Sequence, residues 1–219
     1  PTLEAETSYG FDASIEYYLD NGSLFSAAAF MRNIDNVIYA GDSTIDAGAF
    51  IEEFAGEQWT YTGFLNGSDG KFSGIELNSV FFADDFIQGL GLSANVTFTD
   101  SEFRQANGET VGLPGTSDLI YNAAIFYEDY GISARLNYSW RDKWISPIED
   151  PAEFWGEMTR LDAQISYTFP KQVSGSEVSV YANFNNITDE TDVRYAGNGT
   201  INQAESYGMH YLIGVRVTY

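Results

Sequence analysis

The apolar residues of this chain recur at every second position through segment after segment. From Ile132 to Trp140, apolar side chains alternate with Ser, Arg and Asn, and from Tyr207 to Tyr219 the alternation breaks only at Leu212. Successive side chains of a β-strand point to opposite faces, so a period of two indicates strands with one apolar and one polar face. The chain is therefore predicted to be all-β.

Nine such segments are predicted, each roughly 11–16 residues long, whereas strands of soluble sheets usually have about 5–6. Short links are predicted at Asn21-Gly22, as a two-residue turn, and near 84–89, 129–130 and 170–176. Longer polar links lie at about 39–60, 101–115, 142–157 and 188–204. Short and long links alternate, so an antiparallel up-and-down sheet would have all the long links at one end.

This asymmetry is typical of transmembrane β-barrels, whose turns are short on one side of the membrane and long on the other. A tilted strand of ~9–11 residues crosses the hydrocarbon layer. The alternative is a soluble β-sandwich. In the barrel, Ile132, Leu136, Ile165, Val180 and Val215 would contact lipid, and Arg135, Gln164, Asn183 and Arg216 would line a wet lumen.

Aromatic residues are predicted to form two girdles, since Tyr and Trp prefer membrane interfaces. Outward aromatic residues near the short-turn end are Tyr17, Tyr127, Tyr167, Phe169 and Tyr219. Those near the long-link end are Tyr9, Phe11, Phe98, Tyr121, Tyr138, Trp140 and Tyr207.

Composition narrows the range of functions. The chain has 32 Asp and Glu against 10 Lys and Arg, a net charge of −22, which argues against a nucleic-acid partner. There is no Cys, so disulfides and thiolate metal sites are excluded. The single histidine, His210, has no Ser or acid at a catalytic spacing. We expect a lumen histidine and no enzyme activity.

The stretch between Arg32 and Lys71 has many acidic residues and no basic residue. Calcium prefers clustered carboxylate and carbonyl oxygens, but no EF-hand spacing is present. A solvated acidic surface is the favoured interpretation, so no cofactor is expected, with a loop-bound Ca²⁺ as the alternative. The acidic residues between Arg32 and Lys71 are Asp35, Asp42, Asp46, Glu52, Glu53, Glu57 and Asp69.

Ligand contacts are expected at the long-link end, because aromatic rings stack on sugar rings and Arg pairs with anionic groups. Packing within the loops, or contact with lipid headgroups, is the alternative for each residue. The candidates are Trp59, Tyr61, Arg104, Trp144, Trp155, Arg194 and Tyr195.

Several segments resemble the C-terminal part of the β-barrel of TonB-dependent outer-membrane transporters. They are LPGTSDLIYNAAIFYEDYGISARLNYSWRDKW at 113–144, NNITDETDVRYAGN at 185–198 and the final ESYGMHYLIGVRVTY. The first 39 residues are similar to another late hairpin of that family. The resemblance implies a larger, 22-stranded barrel with a plugged lumen. Residues 1–219 would then form one partial barrel domain, its last nine strands, with the plug and earlier strands absent.

The resemblance also implies a function: active import of a nutrient across the outer membrane of a Gram-negative bacterium. The ligand would be of carbohydrate type, or a siderophore or other metal chelate. Expected partners are the TonB energy-transducing complex, outer-membrane lipid and lipopolysaccharide, the remaining strands and plug, and the barrel-assembly machinery. A passive porin and a secreted carbohydrate-binding or adhesin module are the alternatives. The predicted assembly signal is Tyr211, Ile213, Val215, Val217 and Tyr219.

Overall fold

The computed structural model describes residues 3–146, 153–170 and 175–219, which form strands joined by turns and links. No helix among them is long and apolar enough to cross a membrane. Two short 3-10 turns occur, at Ala47–Ala49 and Glu52–Phe54. In chain order the strands are β1 (Thr7–Tyr18), β2 (Leu24–Asp35), β3 (Ile38–Asp46), β4 (Gln58–Asn66), β5 (Gly70–Phe82), β6 (Leu90–Arg104), β7 (Thr110–Val111), β8 (Leu119–Asp129), β9 (Ile132–Arg141), β10 (Trp144–Ile145), β11 (Phe154–Trp155), β12 (Met158–Thr168), β13 (Glu177–Asn185), β14 (Thr191–Tyr195), β15 (Ile201–Ser206) and β16 (His210–Thr218).

Nine of these strands form the main sheet. Their order is β1-β2-β5-β6-β8-β9-β12-β13-β16, each antiparallel to its neighbour, with β7 paired to the end of β6. The predicted nine-stranded up-and-down sheet is therefore confirmed. Within the described residues β1 and β16 do not pair with each other, so the sheet is a partial barrel that does not close.

The links between the main strands alternate in length as predicted. Those after β2, β6, β9 and β13 are long and lie at one end, and those after β1, β5, β8 and β12 are short. Of the short links, Tyr130 and Gly131 form a two-residue turn in which both residues have positive φ, 51° and 78°.

The two-residue turn predicted at Asn21-Gly22 is wrong. The loop has three residues, 20–22, closed by a hydrogen bond of 2.8 Å from Leu19 N to Ser23 O. Gly22 alone has a positive φ, 85°, whereas the type I′ turn that an Asn-Gly pair favours needs two such residues. The Asn21 carboxamide accepts a hydrogen bond from Ser23 N, at 3.0 Å, so Asn21 stabilises the loop through its side chain.

Cross-strand register gives the sheet an apolar face and a polar face. Ile165 lies opposite Ala134 and Ala182, whereas the adjacent Gln164 lies opposite Arg135 and Asn183. The same parity runs through every pair of the main sheet, so all nine predicted mid-strand positions lie on the expected faces. The apolar face holds Ile132, Leu136, Ile165, Val180 and Val215, and the polar face holds Arg135, Gln164, Asn183 and Arg216.

The apolar face is exposed. Ile213 and Val215 are 71% and 64% accessible, which is unusual for large apolar side chains of a water-soluble sheet. At the long-link end, the ring of Tyr121 stacks on Trp140 at 5.1 Å and on Tyr138 at 6.0 Å. Tyr207, predicted to lie on the last strand, instead precedes β16 and donates a hydrogen bond to Glu205.

The long links contain strands, which the sequence analysis did not predict. The largest is the β3–β4 hairpin, which rises from the end of β2 and returns to β5. An apolar cluster anchors its base, with Tyr39 5.3 Å from Phe103 and its hydroxyl 2.9 Å from the backbone N of Ala106. The buried members of this cluster are Val37, Tyr39, Leu65, Phe103 and Leu113.

The two faces should differ in their tolerance of charge. We expect Ile165→Arg to cost ~2–4 kcal/mol of folding free energy in a bilayer, because that face would meet hydrocarbon. The neighbouring Gln164→Arg, at the same depth on the polar face, should cost far less. Folding titrations of the complete barrel in lipid vesicles measure both, and equal costs would contradict the assignment of faces.

The tip of the β3–β4 hairpin should depend on pH. Asp46 Oδ1 accepts hydrogen bonds from Gly56 N, at 3.0 Å, and Gly48 N, at 2.8 Å, and these hold the pKa of Asp46 below its usual 3.8. The lowered pKa stabilises the tip above the unfolded value, and this stabilisation is lost as the pH falls through the folded value.

Hydrogen exchange of residues 46–57 should therefore accelerate at low pH beyond the intrinsic rate. Asp46→Asn keeps an acceptor oxygen but cannot titrate, so its protection should not change with pH. A wild-type tip with the same pH dependence as Asp46→Asn would rule out this role.

Candidate functional site

Aromatic and cationic side chains form a row across the four-stranded sheet of the last two long links. In the order β10-β11-β14-β15, Trp144 lies opposite Trp155, Trp155 opposite Arg194, and Arg194 opposite Gln203. The two indoles stack at 6.0 Å with an interplanar angle of 15°. The guanidinium of Arg194 lies 5.6 Å from the Trp155 ring centroid and donates to Gln203. We call Trp144, Trp155, Arg194 and Gln203 the stacked row.

The stacked row continues the polar face of the main sheet. Arg141, on that face of β9, lies 4.0 Å from the ring centroid of Trp144. Arg160, on that face of β12, binds the carboxylate of Asp192, two residues before Arg194. Residues two apart on a strand share a face, so these contacts place the row above the polar face. Each guanidinium over an indole contributes roughly 0.5–2 kcal/mol, depending on its exposure.

The opposite face of the same small sheet has its own aromatic pair. Phe154 stacks on Tyr195 at 5.3 Å and 16°, and the Lys143 ammonium lies 5.9 Å from the Phe154 ring. Gly156 allows this arrangement, because a Cβ there would lie 2.9 Å from Cε2 of Tyr195.

A salt bridge between Arg194 Nε and Glu153, at 3.4 Å, ties β14 to the start of β11.

The start of the link between β13 and β16 is fixed by Asn186. This residue is buried and has a φ of 53°. Its carboxamide accepts from Glu190 N at 3.0 Å, and donates to the Glu190 and Gly208 carbonyls at 3.3 and 3.4 Å. Its backbone N donates to Asp162 Oδ1 at 2.8 Å. Asn186 therefore joins both ends of the link through its side chain and attaches the link to β12 through its backbone N.

The structure brings together four of the seven predicted ligand residues: Trp144, Trp155, Arg194 and Tyr195. Of these, Tyr195 faces the other side of the sheet. Trp59 and Tyr61 lie on β4, where Trp59 packs on Phe54 at 5.5 Å and Tyr61 packs against the cluster at the hairpin base.

Arg104 has a local structural contact. It ends β6 and its Nε donates to Gly108 O at 3.1 Å, which closes the turn before β7. The packing alternative therefore describes the contacts of Arg104 better than ligand binding does.

The other predicted residues fall into separate places. His210 lies on the polar face of β16, opposite Asn185. Within the described part of the chain, no group of three or more acidic, His or Cys side chains is arranged to hold a metal ion, and a loop-bound Ca²⁺ stays a prediction. The residues of the predicted assembly signal share the apolar face of β16 or follow it, and all are exposed: Tyr211, Ile213, Val215, Val217 and Tyr219.

Sequence reasoning missed Arg141, Arg160 and Asp192. The alternation of β9 and β12 places Arg141 and Arg160 on polar faces but does not mark them as site residues, and Asp192 is one acid among many. The signal available was the alternation Asp192, Arg194 beside Val193, Tyr195, which predicts a short strand within the link.

The comparison with protein families agrees with this architecture. The model of the TonB dependent receptor-like β-barrel family matches residues 1–187. The chain belongs to this family, whose members are outer-membrane receptors and transporters of Gram-negative bacteria. No curated protein matches the chain.

Solved structures share the fold at low sequence identity. The copper transporter OprC superposes with a TM-score of 0.68 at 13% identity, over 98% of this chain and 31% of OprC. The ferric enterobactin receptor PfeA of Pseudomonas aeruginosa gives 0.65 at 19%, over 99% and 31%. The siderophore receptor PiuA of Acinetobacter baumannii gives 0.62 at 17%, over 96% and 28%. The chain thus spans roughly a third of each.

The role of Asn186 predicts how strongly two substitutions at this position should loosen the link between β13 and β16. Asn186→Gly loses the side-chain hydrogen bonds but tolerates the positive φ, whereas Asn186→Ala also introduces left-handed strain of about 1–2 kcal/mol. Limited proteolysis of residues 186–209 should therefore be fastest in Asn186→Ala, intermediate in Asn186→Gly and slowest in the wild type. An alanine variant as resistant as the glycine variant would contradict the strain argument.

Proposed function

We propose that this chain forms wall and extracellular loops of a TonB-dependent importer of a metal chelate of the siderophore type. The observation that carries the proposal is the stacked row, which places two indoles and a guanidinium at the long-link end, above the polar face. Transport ligands would meet this end first if the long links are extracellular, as the barrel topology suggests.

The chemistry of the row suits a planar, anionic ligand. Indole faces offer a large area for stacking, and guanidinium groups give paired hydrogen bonds to carboxylate or phenolate oxygens. Arg194 lies in the row, Arg141 and Arg160 lie beside it, and Lys143 lies over the opposite face of the small sheet; these are four of the 10 basic residues in a chain of net charge −22. Arg160 is paired with Asp192, and Arg194 with Glu153. Arg141 instead donates to the uncharged oxygens of Ser117 and Gly115, so Arg141 supplies a positive charge that would attract an anion to these acidic loops.

The solved neighbours support the ligand class. PfeA and PiuA are siderophore receptors and OprC is a copper transporter. A carbohydrate ligand, which would also stack on the indoles, is the competing outcome of the binding test. The 22-stranded closure, with this chain as the last nine strands of the barrel, is part of the proposal.

The partners follow from the same proposal. Membership of the family implies a barrel with a plug and energy from the TonB complex. The apolar face would contact outer-membrane lipid and lipopolysaccharide. The alternating side chains from Tyr211 to Tyr219 would be recognised by the barrel-assembly machinery through strand addition.

Substitutions in the row test the proposal. In the complete receptor, Trp155→Ala should weaken the binding of ferric enterobactin by about tenfold to a hundredfold, because it removes one stacking face and the contact with Arg194. Binding is measured by titration in detergent, and TonB-dependent uptake by growth of iron-starved cells. Trp140→Ala, on the apolar face, is the matched control and should leave affinity unchanged.

Two results would overturn the proposal. One is a wild-type receptor that binds a panel of oligosaccharides but no ferric chelate. The other is a Trp155→Ala variant with the affinity of the wild type.

A further inference from the structure

The geometry points to the ion pair Arg160–Asp192 as the device that positions the stacked row, with Asp192 as a positioning residue that acts through Arg194. The consequence for ligand affinity rests on the proposed function, whereas the consequence for the geometry of the row does not.

In this pair one guanidinium nitrogen meets both carboxylate oxygens, and both side chains are largely shielded from solvent. Arg160 Nη2 lies 2.6 Å from Asp192 Oδ1 and 2.5 Å from Oδ2, and Asp192 is only 7% exposed. Arg160 Nη1 donates to the Thr159 carbonyl at 2.6 Å, so the guanidinium is fixed to its own strand before it reaches the link. Charge-assisted bonds of this kind fix both distance and orientation.

A second anchor lies beside the first. Asp162, two residues after Arg160 on the same face of β12, accepts from the backbone N of Asn186, and Ile187 N donates to Leu161 O at 2.8 Å. The link between β13 and β16 is therefore attached to β12 at its start and again at β14. Of the two anchors, only the one at Asp192 lies within the strand that carries Arg194.

Asp192 is poorly placed to bind a ligand itself. Both of its carboxylate oxygens are held by Arg160, and the residue is buried. Arg194, two residues further on the same face, contacts Trp155 and Gln203. Release of Asp192 would leave the link attached to β12 at its start, through Asn186 and Ile187, but β14 itself would lose its ion pair with β12. The guanidinium of Arg194 would then lose its fixed place over the indole.

The test uses two variants of the complete receptor. Asp192→Asn removes the charge with little change in volume, and Arg160→Lys keeps the charge but loses the Nη1 bond to the Thr159 carbonyl that orients the pair. Both should reduce the exciton circular-dichroism signal of the Trp144–Trp155 stack and raise the Kd for ferric enterobactin by about tenfold. Heat resistance of the folded barrel should stay at the wild-type level, because the main-sheet register does not involve Asp192.

The matched control is Asp12→Asn. It breaks another Arg–Asp pair of the same geometry, in which Arg32 Nη2 lies 2.8 Å from both oxygens of Asp12 and joins β1 to β2 on the polar face. This control should change neither the exciton signal nor the affinity. If Asp12→Asn lowers the exciton signal and the affinity as much as Asp192→Asn does, the effect is a general one of charge removal, and the inference is overturned.

Other outcomes also decide the matter. Wild-type exciton signal and affinity in Arg160→Lys would overturn the inference even if Asp192→Asn failed to assemble. If the wild-type receptor binds no ferric enterobactin, the proposed ligand is wrong, and the exciton signal alone then supports or overturns the positioning role.

Discussion

The backbone hydrogen bonds between consecutive antiparallel strands are the interaction on which the rest of this structure depends. In hydrocarbon an unpaired N–H or carbonyl costs several kcal/mol, so a spanning sheet must pair each strand with its neighbours. The register of those bonds decides the face of every side chain, and a slip by one residue would exchange the faces. Ile165 and Gln164 are adjacent in sequence yet lie among entirely different neighbours.

At the long-link end, beyond the main strands, the structure is held together by side-chain packing rather than by the register of the main sheet. The β3–β4 hairpin rests on the cluster around Tyr39 and Phe103, and the small sheet of β10, β11, β14 and β15 is held by stacked rings and ion pairs. Within the described residues these loops contain most of the buried apolar side chains, because the main sheet exposes its apolar face.

Much of the fold could be predicted from the period of two. Nine strands, their order and the face of residues such as Val180 and Arg216 follow from alternation and link length. Within the links, β10 and β11 could not be predicted, because strands of two residues are too short to show a period, whereas β3, β4 and β14 are long enough and were missed.

The site was only partly predictable, for a related reason. Trp144, Trp155 and Arg194 were recognised as residue types suited to binding, but their register requires the pairing of three separate segments. The contact of Arg160 with Asp192 spans 32 residues, and no local pattern signals it. Trp59 was predicted to belong to the same site because of its residue type alone, although it lies in the β3–β4 hairpin.

The anchored base of the β3–β4 hairpin has an evolutionary consequence. Because Tyr39, Leu65 and Phe103 fix the hairpin at its root, residues of the tip such as Phe50 and Ile51 are exposed and make few demands on the strands below. Insertions, deletions and substitutions at the tip can therefore accumulate without disturbing the barrel. A barrel built in this way can change the surface at its long-link end while inheriting an unchanged wall.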